Sequence, residues 1–127
     1  MISSAVWISS EEAKFFKFNA DGVETHHMQA SHLKHPAETE GKIQAKKDGD
    51  AEKFFHEVAK YLVKDNSSRW LIVGAGVAKT QFKHHIEKHH AQDAAKIIGV
   101  EAIDKSTDGE IKNFAHDFFK KHPTPLS

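Results

Sequence analysis

The sequence predicts an α/β domain built on a mixed five-stranded sheet. Three observations carry that expectation. Short β-rich runs crowd the first 28 residues, the hydrophobic period becomes helical from Asp50 onward, and strand-length apolar runs then alternate with amphipathic helical ones. A chain of 127 residues is long enough to bury most of a single hydrophobic core.

The elements follow in order. Residues 5–8 (Ala-Val-Trp-Ile) and 13–18 (Ala-Lys-Phe-Phe-Lys-Phe) are strands separated by polar Ser9-Ser10-Glu11-Glu12. Asn19-Ala20-Asp21-Gly22 is turn chemistry, with Gly22 free to take a positive φ. Residues 23–28 supply a third strand and complete an antiparallel meander. Residues 29–49 lack an apolar period and read as a long exposed loop. Phe54, Val58, Tyr61 and Leu62 then recur at helical spacing, with Asp48 or Asp50 as the cap, and Asn66-Ser67-Ser68 ends that helix. Residues 69–73 (Arg-Trp-Leu-Ile-Val) form a strand covered on both faces. A helix with Phe82 and Ile86 inward runs to about residue 90, and residues 96–103 are the last strand. Thr107-Asp-Gly-Glu110 is a capping box, and Ile111, Phe114, Ala115 and Phe118 give the final helix its core stripe.

This β-β-β-α-β-α-β-α order is that of three-layer, ribonuclease H-like domains and predicts the strand order 3-2-1-4-5, with right-handed crossovers in the second half. One domain is expected over residues 1–121. His122-Pro-Thr-Pro-Leu-Ser127 reads as a helix stop and a loose tail.

The totals exclude whole classes of function. The 18 basic and 18 acidic residues cancel, so no global field draws the chain to DNA or to an acidic membrane. With no cysteine there is no disulfide, thiolate metal site or cysteine nucleophile. No window has the length and apolarity of a signal peptide or a membrane span, and a cytoplasmic location is expected. Eleven histidines make the chain histidine-rich and its surface charge sensitive to mild acid.

Four features invite a chemical reading. The first is the Gly74-Ala75-Gly76 turn followed by Lys79-Thr80. A phosphate-wrapping loop needs four residues between its glycine and Gly-Lys-Thr; here Ala78 precedes Lys79, and two residues separate Gly76 from it. The dinucleotide fingerprint needs a third glycine where Lys79 stands. A structural strand-to-helix turn is expected, and no cofactor. The second feature is the histidine group 84, 85, 89 and 90. His85 and His89 are i,i+4 neighbours, the spacing of zinc-binding helices, but no glutamate follows the first histidine. No third ligand is evident in the sequence, so no metal is expected, and His85 and His89 stand only as its candidates. The third is the carboxylate set of two-metal ribonuclease H chemistry, which is missing: the first strand carries no acid, the fourth ends in Val73-Gly74, and Glu57 stands alone. No catalytic residue is assigned. The fourth is the basic content of segment 29–49, which reads either as a solvated connection or as an arm that orders on RNA.

Four stretches together carry a resemblance: "AVWISSEEAKFFKFNADG", "HPAETEGKIQAKKDGDAEKFFHEVAKYL", "LIVGAGVAKTQFKHHIEKHH" and "IIGVEAIDKSTDGEIKNFAHDFF". They look like a bacterial family of translational machinery proteins. That family is similar to the middle domain of archaeal and eukaryotic class 1 release factors and of the ribosome-rescue factor pelota. The resemblance spans residues 5–121 and implies the same ribonuclease H-like fold. In release factors a Gly-Gly-Gln tripeptide, carried between meander and first helix, helps water cleave peptidyl-tRNA. The matching segment here is Gly41-Lys42-Ile43-Gln44, so hydrolase activity does not carry over. Pelota also lacks the tripeptide and acts without hydrolysis.

The expectation is therefore a non-catalytic, translation-associated module, acting in rescue or hibernation, that binds the ribosome through ribosomal RNA or tRNA. Its contacts would be His32, Lys34, His35, Lys42, Gln44, Lys46 and Lys47 on the long segment, with Lys79, Lys83, His84 and Lys88 on the second helix. The alternative is a small metal- or nucleotide-dependent hydrolase using His85 and His89 or the 74–80 turn.

Overall fold

The structure, a computed structural model, describes residues 2–30, 43–64, 67–104 and 107–121, with side chains of the first helix described from Glu52 onward. The elements are β1 (Ser3–Ile8), β2 (Glu12–Asn19), β3 (Gly22–Gln29), α1 (Ile43–Lys64), β4 (Arg69–Gly74), α2 (Ala78–His89), β5 (Ile97–Ala102) and α3 (Asp108–Lys121), with one turn of 3-10 helix at Asp93–Lys96. The sheet order is β3-β2-β1-β4-β5, as the chain order predicts. The meander pairs β1–β2 and β2–β3 antiparallel, while β1–β4 and β4–β5 are parallel. The α/β class with a mixed five-stranded sheet, expected from the sequence, is the one observed.

Local chemistry sets the ends of the elements. The β2–β3 hairpin closes between Asn19 and Gly22. There the Asp21 N–H donates to Asn19 Oδ1 at 2.9 Å and Gly22 sits at φ 138°, a region that only glycine enters without strain. Thr107 starts α3, accepting the Glu110 N–H at 3.4 Å while its hydroxyl lies 2.7 Å from Glu110 Oε1.

The first helix differs from expectation. It begins at Ile43, seven residues before Asp50, so the expected caps Asp48 and Asp50 lie inside it. Residues 43–49 (Ile-Gln-Ala-Lys-Lys-Asp-Gly) have no apolar stripe, which is why a period-based reading stops short of them. Gln, Ala and Lys are nonetheless good helix formers, and Gly49 costs only about 1 kcal/mol against alanine. Of the expected 29–49 loop, Gln29 belongs to β3, 43–49 belong to α1, and 31–42 lie outside the described residues. Residues 122–127 lie outside them as well.

The period-two alternation of the strands divides the core in two. Val6, Ile8, Phe15, Trp70 and Ile72 face α1 and α2, meeting Phe54, Phe55, Val58, Ala59, Leu62, Phe82 and Ile86. Ala5, Trp7, Phe16, Leu71 and Val73 face α3, meeting Ile111, Ala115 and Phe119. The α1 stripe is wider than the sequence period suggested, because Phe55 and Ala59 are buried while Tyr61 is half-buried. On α3, Phe119 is buried and Phe114 and Phe118 are half-buried.

Polar contacts of Asp108 tie both β2, through Lys14, and the edge strand β3, through His27, to α3. Asp108 Oδ1 lies 3.4 Å from Lys14 Nζ, and its Oδ2 lies 2.9 Å from His27 Nε2. Asp108 is 45% exposed, so solvent screens these contacts, and Asp108→Asn is expected to cost only about 0.5–1 kcal/mol in chemical denaturation. A loss above about 2 kcal/mol would show that the contact is worth more than a surface ion pair.

Candidate functional site

Two regions sit at the C-terminal end of β4 and along α2. The first is the Gly-x-Gly turn. Leu71, Ile72 and Val73 are fully buried, so β4 is a central strand that delivers the turn to the sheet edge. At Gly74 a Cβ would lie 2.6 Å from the Ile8 carbonyl oxygen, so packing against the neighbouring strand β1 by itself demands this glycine. Nothing lies within 4 Å of the corresponding position at Gly76. Val77 precedes α2, and its carbonyl accepts the Thr80 and Gln81 N–H groups at 3.0 Å. Lys79 Nζ turns back to donate to the Gly76 carbonyl, occupying the lysine within the turn.

The second region is α2 itself. His84 and Lys88 are exposed and Lys83 is partly so, with Lys83 Nζ 3.9 Å from Glu87 Oε2. At 100° per residue the outward arc of the helix therefore carries Lys83, Glu87, His84 and Lys88, a cationic face interrupted by one acid. Lys79 lies in the first turn of α2, with its side chain bonded back to the Gly76 carbonyl. Gln44, Lys46 and Lys47 are placed by backbone on the first turns of α1, while His32, Lys34, His35 and Lys42 lie outside the described residues.

On the inward side of the same helix the i,i+4 pair His85 and His89 meets a carboxylate from α1. His85 is 6% exposed, packed against the Phe55 ring at 6.4 Å and the His89 ring at 4.5 Å between centroids. Glu52 reaches across from α1, its Oε2 3.5 Å from His85 Nδ1. That approach falls within ion-pair range but does not make a hydrogen bond: among the described residues neither His85 ring nitrogen has a hydrogen-bond partner. Donor atoms of Glu52, His85 and His89 all lie within 4.8 Å of one another. They open into a cavity of about 360 Å³ that Lys53, His56 and Glu57 also line. His56 stacks on His90, extending the imidazole cluster. Burial holds His85 below the usual histidine pKa; repulsion from His89 adds to this, Glu52 opposes it, and His56 and His90 contribute smaller lowering effects.

The donor that the sequence did not reveal beside His85 and His89 is thus Glu52. A signal for it existed in the unrecognised half of the α1 stripe. Once Phe55 and Ala59 are placed inward, Glu52 and His56 fall on the same side one turn away, facing α2.

No protein-family model and no curated protein matches the sequence. Solved structures do match in fold. Pelota of Thermoplasma acidophilum is similar at a TM-score of 0.64 and 20% identity, over 94% of this chain and 34% of that one. Pelota of Archaeoglobus fulgidus is similar at 0.60 and 19%, over 94% and 31%. The archaeal translation termination factor aRF1 is similar at 0.54 and 12%, over 95% and 39%. The chain therefore spans about a third of the length of each, and at these identities the likeness is one of fold. Among the described residues no helix is long and apolar enough to cross a membrane.

Proposed function

We propose that this chain is a non-catalytic, translation-associated module, one domain over residues 1–121, that binds the ribosome through ribosomal RNA or tRNA. The observation that carries the reading is the match in fold of nearly the whole chain to about a third of Pelota and of aRF1. It supports the resemblance, drawn from the sequence, to a bacterial family of translational machinery proteins. A cytoplasmic location and a role in rescue or hibernation belong to the same reading.

Gly41-Lys42-Ile43-Gln44 replaces Gly-Gly-Gln, and its last two residues open helix α1, so peptidyl-tRNA hydrolysis is not part of the proposal. Binding falls to the segment carrying His32, Lys34, His35, Lys42, Gln44, Lys46 and Lys47, and to Lys79, Lys83, His84 and Lys88. Lysine and histidine donors suit phosphate oxygens and position a protein on RNA without reading bases. Lys83 and Lys88 carry the weight on α2, because Lys79 is bonded within its turn.

Co-sedimentation with purified ribosomes tests this. The chain is expected to pellet with ribosomes at low salt and to be released as salt rises. Reversing Lys83 and Lys88 together to glutamate is expected to weaken binding and flatten the salt dependence, by about one unit of log–log slope for each phosphate that a lysine no longer neutralises. Failure to co-sediment at low salt overturns the reading.

A further inference from the structure

We propose that Glu52 of α1 and His85 and His89 of α2 form a binding site for one divalent transition-metal ion of the zinc type. His85 is the anchor. Its side chain is 4% exposed, both ring nitrogens lack hydrogen-bond partners among the described residues, and it faces the cavity that Glu52 and His89 line. Buried polar atoms are almost always satisfied, and of the buried unpaired side chains it is His85 that lines a cavity with two further donors beside it.

The donor set identifies the class of that partner. Two imidazoles and one carboxylate match the three protein ligands of zinc sites that keep a fourth position open, and the i,i+4 histidines supply two of them from one helix face. Magnesium and calcium prefer shells made of oxygen, and only one of the three donors here is oxygen. A phosphate would meet the Glu52 carboxylate and be repelled. Glu57 and Lys53 on the cavity wall cancel, which leaves the Glu52 charge to complement a dication.

The geometry is close to closed. Donors bound tetrahedrally at about 2.0–2.1 Å lie about 3.4 Å apart. The Glu52–His85 pair stands at 3.5 Å, and no pair in the set exceeds 4.8 Å. Glu52 and His89 are exposed, so their side chains can adjust towards an ion, while His85 is buried. An ion held there ties α1 to α2. The proposal does not depend on ribosome binding.

The full chain, stripped with chelator, is titrated with Zn(II), with Co(II) as a visible probe and Mg(II) as control. Expected are one zinc per chain, a melting temperature that rises to saturation at one equivalent, tetrahedral Co(II) absorption, and no response to Mg(II). The chain has eleven histidines, so variants must separate this site from adventitious binding. Glu52→Gln and His89→Ala, both at exposed positions that leave the core intact, are each expected to weaken zinc affinity at least tenfold, because even outer-shell losses cost about 10–100-fold. His116→Ala, on α3, is expected to leave it unchanged. The proposal is overturned if the stripped chain takes up no stoichiometric zinc, if Glu52→Gln and His89→Ala bind as tightly as the parent, or if His116→Ala weakens binding equally.

Discussion

Phe82→Ala is expected to remove about 3–5 kcal/mol of stability, the range for emptying a buried phenylalanine site. Phe82 is fully buried on α2, packed against the Phe55 ring at 5.9 Å and enclosed by the core that joins α1 and α2 to the sheet. The loss has two parts. The ring's transfer from water is forgone, and the space it filled is left empty because the sheet beneath is rigid. Domains of this kind are stable by about 5–15 kcal/mol in total, so the variant stands close to unfolding. Urea titration should show a lower midpoint with little change in slope, because the surface exposed on unfolding is nearly the same. Phe82→Leu, which keeps most of the volume, is expected to lose far less, about 1–1.5 kcal/mol. A loss below about 1 kcal/mol for Phe82→Ala would mean that α2 does not dock through this ring.

The second large effect separates two glycines that look alike in the sequence. Gly74→Ala is expected to destabilise the protein by about 2–3 kcal/mol, the cost of overpacking a site that cannot relax. Its new Cβ would sit 2.6 Å from the Ile8 carbonyl oxygen, a backbone atom, so the end of β1 or of β4 would have to move. These two strands pair directly in the middle of the sheet, and Gly74 O also accepts the Ile103 N–H at 3.0 Å. Gly76→Ala meets nothing within 4 Å and carries no positive φ, so it is expected to be neutral, or to stabilise by up to about 1 kcal/mol by restricting the unfolded chain. Paired denaturation curves decide the matter. Equal losses at the two positions would refute the assignment of Gly74 to strand packing.

How much was legible in the sequence follows the range of the interactions concerned. The meander, β4 and β5 declared themselves through local runs and turn chemistry, because strand alternation and the Asn19–Gly22 turn depend on neighbours in the chain. The start of α1 did not, because residues 43–49 carry helix propensity without an apolar period. On α3 the period selected Phe118 as core, whereas the burial of Phe119 depends on Phe18 of β2 and Arg69 of β4, whose groups meet its ring at 5.6 and 4.9 Å.

The same distinction governs the candidate site. His85 and His89 were visible as an i,i+4 pair, a property of one helix. The Gly74–Thr80 segment is likewise too short for a phosphate-wrapping loop, and loop length is a local property. The alternation of elements determined the α/β class and the strand order 3-2-1-4-5, because each amphipathic unit has few ways to bury its apolar face. Only the tertiary structure decided that Glu52 meets His85 and that Gly74 must lack a side chain against Ile8. Those facts arise where α1 crosses α2 and where β1 lies beside β4, between residues 33 and 66 positions apart in sequence, and no local pattern records such a meeting.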